Sequence, residues 1–219
     1  MKPPNPTLPP RLSRRQAIVA IASIAVASSL AACSFSRPAP VKRMFLLEPA
    51  MPAVAPAPNP ASVRVGVVTV AAPFRGKAFV YRESELKYDA DYYDEFFVAP
   101  AIMLSEATAK ALIAANVFRR VVPFGAAADD AEFVLDGFVS EFYVDARNSS
   151  APAGVITVTY YLSPTNVAAP GVIWSREYRQ RVVASGTSPE AMAKAWNTAL
   201  SAILADLARD LSSLSLPKS

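Results

Sequence analysis

The sequence predicts a single two-layer α/β domain of the α+β kind, a mixed, largely antiparallel sheet with two main helices packed on one face. Three observations predict it. Ile156, Val158, Tyr160 and Leu162 alternate with Thr157, Thr159, Tyr161 and Ser163, the period of a strand with one buried face. Met192, Trp196, Ala199, Leu200, Ile203, Leu207, Leu211 and Leu214 recur at helical spacing and form one apolar stripe. Between the N-terminal third and that stripe, β-branched runs alternate with polar turns, and no internal repeat is visible.

At the N-terminus, Arg11, Arg14 and Arg15 precede an apolar run from Ala17 to Leu30, which closes in Ala31, Ala32 and Cys33. This is the layout of a cleaved export signal. The run falls short of the roughly 20 apolar residues a membrane span requires. Cys33 is the only cysteine among 219 residues, and Leu30-Ala31-Ala32-Cys33 resembles the lipobox of a bacterial lipoprotein. Residues 1–32 are therefore read as signal peptide, 33–61 as lipidated cysteine and proline-rich tether, and 62–219 as a periplasmic domain. Cys33 would carry S-diacylglycerol and an N-acyl chain such as palmitate, and no other cofactor is expected. Ser34 follows it, where an Asp is the usual inner-membrane retention signal, so the expected location is the outer membrane, facing the periplasm.

Cleavage changes the electrostatic reading. The chain carries 22 basic and 18 acidic residues. Lys2, Arg11, Arg14 and Arg15 lie in the signal, which contains no acid, so residues 33–219 are formally neutral. Nucleic-acid recognition, which leans on an excess of basic groups over phosphates, is not expected.

The elements then follow in order. Seven prolines between Pro38 and Pro60 favour extended geometry over a packed fold. Met44-Phe45-Leu46-Leu47 interrupts them and is expected to dock as an edge strand. Val63 to Val70 reads as a buried strand, with Ala78–Arg82 and Leu86–Tyr88 as short strands about a polar turn. Pro100 suits the first position of a helix running to about Ala115, with Asn116 as a left-handed cap. Leu104, Ala107, Ala111, Leu112 and Ala115 form its apolar stripe, opposite Glu106 and Lys110. Strands are expected at Phe118–Phe124, Glu132–Asp145, Val155–Ser163 and Val172–Ala184. Ser188, Pro189 and Glu190 open the closing helix as N-cap, first position and first-turn acid.

No catalytic constellation emerges. The chain has no histidine, the commonest general base and neutral metal ligand. No Gly-x-Ser-x-Gly or phosphate-cradling glycine loop occurs. Asp89, Asp91, Asp94 and Glu95 cluster without the spacing of a calcium loop, so they are read as a solvated acidic loop and no metal is expected. Tyr88, Tyr92, Tyr93, Phe96 and Phe97 lie among those acids. They either cover the sheet or present an exposed contact for a partner protein or lipid, with Tyr92, Tyr93 and Phe96 as the candidates. Trp174, Tyr178 and Trp196 are expected in the core, and Arg176, Arg179 and Arg181 on a solvated sheet face.

Phe79-Val80-Tyr81-Arg82, Leu86-Lys87-Tyr88 and Phe97-Val98-Ala99-Pro100 resemble the pattern of the ABC-type transport auxiliary lipoproteins. Phe45-Leu46-Leu47 resembles that family's early aromatic segment, and Asn116-Val117-Phe118 the end of its first helix. Phe97 stands where the family usually has Trp, and the acidic-aromatic insert at 89–95 is a further departure. The resemblance implies a non-enzymatic outer-membrane partner of an MCE-type (mammalian-cell-entry) lipid-transport system. Its partners would be an MCE-domain protein with its permease and ATPase, and a homo-oligomer is also compatible with it. A competing reading is an envelope-assembly or peptidoglycan-synthase-activating lipoprotein, since such domains also sit on proline-rich tethers.

Overall fold

The computed structural model describes residues 41–126, 130–166 and 171–216; Cys33, Ser34 and the expected signal lie outside them. The described elements are β1 (Arg43–Phe45), β2 (Asn59–Val70), β3 (Ala78–Arg82), β4 (Tyr88–Phe96), α1 (Pro100–Ala114), β5 (Phe118–Val122), β6 (Phe133–Asp145), β7 (Ala153–Pro164), β8 (Trp174–Val183) and α2 (Pro189–Ser212). Residues from Val41 onward form one compact unit.

β6 is the centre of a mixed sheet. Along one side it pairs antiparallel with β7, which in turn pairs antiparallel with β8. Its other side is shared by two parallel partners, β2 along Phe133–Val139 and β3 at Val144 and Asp145. β5 lies parallel to β2. On the far side, β3 pairs antiparallel with β4, and β1 closes the edge parallel to β4. The longest ladders are antiparallel, because each joins strands that follow directly in sequence through a short connection.

Both helices pack against the sheet, α1 on β2 and β5, α2 on β7 and β8. The expected stripe of α1 is buried, and Glu106 and Lys110 pair on its outer side. Its end follows from local chemistry. Asn116 takes φ 52°, its N–H donates to Ile113 O at 3.1 Å, and Val117 N–H donates to Leu112 O at 3.3 Å. These two bonds are the Schellman pattern, which satisfies carbonyls the helix leaves open. Ser105 serves the neighbouring strand. Its hydroxyl accepts the Val68 N–H at 2.9 Å, next to the register shift in β2 between Val65 and Val68.

The centre of the core is aromatic. Trp196, fully buried on α2, meets Phe79, Phe96 and Phe142 at centroid distances of 4.9, 5.3 and 5.2 Å. Its indole N–H donates to Tyr143 O at 3.3 Å, so the one polar atom of the ring is also served. Tyr160, on β7, shares a 2.8 Å hydrogen bond with Thr108 of α1; burial pushes its hydroxyl up to about 12.

Three expectations change. The acidic stretch is not a loop: Asp89 to Glu95 belongs to β4. The proline-rich segment does not run free where it is described. Its N–H groups at Glu48 and Ala50 donate to Asn197 Oδ1 and Ser201 Oγ at 2.7 and 2.8 Å, and Ala55 N–H donates to Ala115 O at 2.7 Å. Leu47 and Pro49 are buried beneath it. Proline removes the donors a ladder needs, so this strap is held by helix side chains instead of by a strand. Lastly, the arginines of β8 divide between two faces. Arg176 pairs with Asp210 of α2, whereas Arg179 and Arg181 pair with Glu141 and Asp145 on the opposite side of the sheet.

Candidate functional site

β3 and β4 are out of step at one point. Between the pairs Ala78↔Glu95 and Val80↔Ala90, the single residue Phe79 of β3 faces four residues of β4, Asp91 to Asp94. Extra residues of this kind leave a ladder and re-aim side chains. Here Asp91 holds the excursion: one carboxylate oxygen accepts the N–H of Tyr93 at 2.7 Å and of Asp94 at 3.0 Å. Adjacent strand residues normally point to opposite faces. In the excursion Tyr92 and Tyr93 instead meet edge to face, 5.1 Å between centroids.

The candidates therefore separate. Tyr92 is 71% exposed and Tyr93 41%. Phe96 is 1% exposed, packed against Phe79, Phe142 and Trp196, so its expectation as a contact residue is corrected to core. Once the ladder resumes at Glu95, Phe96 must face the helices and Phe97 must face out, which it does. Tyr88 packs on Phe74 and Tyr143 at the other end of β4.

β1 and the two residues before it complete the site, and of those named here only Met44 belongs to the edge strand expected from the sequence. Lys42 Nζ lies 5.1 Å from the centre of the Tyr92 ring and 3.2 Å from Glu95 Oε2. Arg43 clasps Asp94 through two hydrogen bonds of 2.7 and 2.9 Å; Asp94 is buried. Val41 and Met44 are 81% and 55% exposed. Exposed apolar side chains thus lie where the chain enters the domain, with Lys42 and Arg43 each paired to an acid of β4. The available signal was the Tyr92-Tyr93 doublet, but its partners lie some fifty residues upstream.

Among the described residues, no group of His, Cys, Asp or Glu side chains is placed to hold a metal ion, and no helix is long and apolar enough to cross a membrane. Three of the four acids of this stretch are engaged within the domain, Asp91 with backbone, Asp94 with Arg43 and Glu95 with Lys42.

Fold and surface define a two-layer α+β scaffold whose exposed aromatic pair sits beside the chain entry. The chain belongs to the family of ABC-type transport auxiliary lipoprotein components, which it matches over residues 45–208. Its fold resembles that of protein XCC0632 from Xanthomonas campestris, a DUF330 member. The TM-score is 0.66 at 17% identity, over 75% of this chain and 92% of that one. A second solved structure, of an uncharacterized protein, has a TM-score of 0.56 at 17% identity, over 74% of this chain and 99% of the other. At these identities the likeness is one of fold. No curated protein sequence matches the chain.

Proposed function

We propose that this protein is a non-enzymatic, outer-membrane-anchored auxiliary of an MCE-type lipid-transport system, facing the periplasm. Acyl chains on Cys33 hold it to the membrane, where it docks the MCE-domain protein that works with a permease and an ATPase. One observation carries the reading: membership of the transport auxiliary lipoprotein family from residue 45 onward, in a chain with a lipobox-like Leu30-Ala31-Ala32-Cys33 just upstream. A docking role is also consistent with the chemistry present. The chain has no histidine, and the enclosed acids Asp94 and Asp145 are each neutralised by arginine, which leaves neither poised as a general acid or base. The domain offers a rigid core for holding a contact surface in place.

The test is affinity purification of the native protein from cell envelopes. Recovery of an MCE-domain protein together with its permease or ATPase is the expected outcome. Recovery of a peptidoglycan synthase in their place would sink the transport reading and favour an assembly role.

A further inference from the structure

The structure changes how long the tether is. Residues 46–58 are strapped to α1 and α2, and the domain already begins with Lys42 and Arg43 on β4. Only eight residue steps connect Cys33 to Val41. Fully extended, they reach at most about 28 Å. If Cys33 is acylated, the chain entry is confined to a thin layer above the bilayer, while the remote end of the domain is under no such constraint.

What surrounds that entry is suited to a lipid surface. Tyr92, Tyr93, Val41 and Met44 are exposed there. Tyrosine, with an apolar ring and a polar tip, concentrates where one end of a side chain is apolar and the other wet. Charge argues against an electrostatic landing on anionic lipid. Lys42 and Arg43 are matched by Glu95 and Asp94, and Asp89 and Asp91 leave the patch acidic. Attraction would have to come from burial of apolar surface among headgroups, which salt does not screen.

The geometry points to the Tyr92–Tyr93 tip, with Val41 and Met44, as a bilayer-contacting surface that seats the domain on its own membrane. This rests on the lipoprotein reading of Cys33. A single acyl chain binds a membrane only marginally, and an interfacial aromatic contact beside the anchor would add both attachment and a fixed orientation. The domain would rest at the membrane surface with Val172, before the start of β8 at the far edge and opposite end of the sheet, held away from it.

The experiment uses the full-length, acylated protein in phosphatidylcholine vesicles with and without brominated acyl chains. Tyr92→Trp adds one emitter to the half-buried Trp174 and the buried Trp196, and Val172→Trp, exposed before the far edge strand β8, serves as control. The expected result is loss of the added emission in brominated vesicles for Tyr92→Trp, unchanged by salt, with no loss for Val172→Trp. Flotation with the vesicles but no quenching at position 92, or equal quenching at both, overturns the contact while leaving the anchor intact. A protein with no acyl mass that fails to float overturns the lipoprotein reading and the contact with it. Unquenched Tyr92→Trp, combined with loss of co-purified MCE-domain protein in Tyr92→Ala, would assign the tip to a protein partner instead.

Discussion

Asp145 is paired with two arginines, Arg147 and Arg181. One carboxylate oxygen accepts Arg147 Nε at 2.8 Å, and the other accepts a terminal guanidinium nitrogen of Arg147 at 2.9 Å and Arg181 Nε at 3.2 Å. The Arg147 guanidinium, foremost, and then Arg181 hold this carboxyl well below the usual carboxylate range. A carboxyl depressed in the native state stabilises the fold above its unfolded value and loses that contribution as pH falls toward the native one. Asp145→Asn keeps the shape and removes the charge, so it is expected to cost about 1–3 kcal/mol at neutral pH. The gap in melting temperature should stay constant down to about pH 5 and shrink below about pH 4. A gap that instead widened in acid would show that the stabilising charge lies elsewhere. Glu141, beside it, is opposed by burial, but the Thr157 hydroxyl and the Arg179 guanidinium more than offset that and lower it. Neither acid stood out in the sequence, because Arg181 meets Asp145 only through strand pairing.

Among elements, β7 and α2 approach closely at Gly154. A Cβ placed on Gly154 would lie 3.0 Å from Trp196 Cδ1 and 3.0 Å from its backbone nitrogen. A side chain can turn aside, but a helix backbone cannot without shifting the whole of α2. Gly154→Ala is therefore expected to cost about 1–3 kcal/mol by overpacking. Urea denaturation should show this as a lower midpoint at unchanged slope, and an unaltered midpoint would falsify the close approach. Both ends of α1 and the start of α2 were legible beforehand, because Pro100, Asn116, Ser188 and Pro189 act through their immediate neighbours; Leu214, expected on the stripe of α2, lies beyond its end at Ser212. β4 was not. Its acids have low strand propensity, and the excursion at Asp91–Asp94 interrupts the alternation that identifies a strand. Without it, Phe96 and Phe97 cannot be assigned to opposite faces.

For the whole molecule, the strap sets how far the domain could stand from the proposed anchor. A proline-rich segment reads alike whether it is a free spacer or pinned along two helices. Asn197 and Ser201, one helical turn apart, pin it by accepting N–H groups that no strand serves. If Cys33 is acylated, the domain stands close to the membrane that holds it. Ser34 leaves the position after that cysteine without an acid, so the native protein should fractionate with the outer membrane and Ser34→Asp with the inner one. Both fractionating with the inner membrane would show that residue 34 does not decide sorting.

By itself the sequence determined the features that depend on neighbours along the chain. These were the two helices with their caps, the alternation of β7, the buried stripes of α1 and α2, and the motifs that resemble the auxiliary lipoprotein family. Such signals act over a turn or two of backbone, so they survive being read in one dimension. Tertiary structure alone decided the pairing of β1 with β4, the separation of Tyr92 and Tyr93 from Phe96, and the strapping of residues 46–58. The first and last depend on groups about fifty or more residues apart meeting in space, and the second on the unequal pairing of β3 with β4, where hydrogen-bond and packing geometry, and not composition, select the partner.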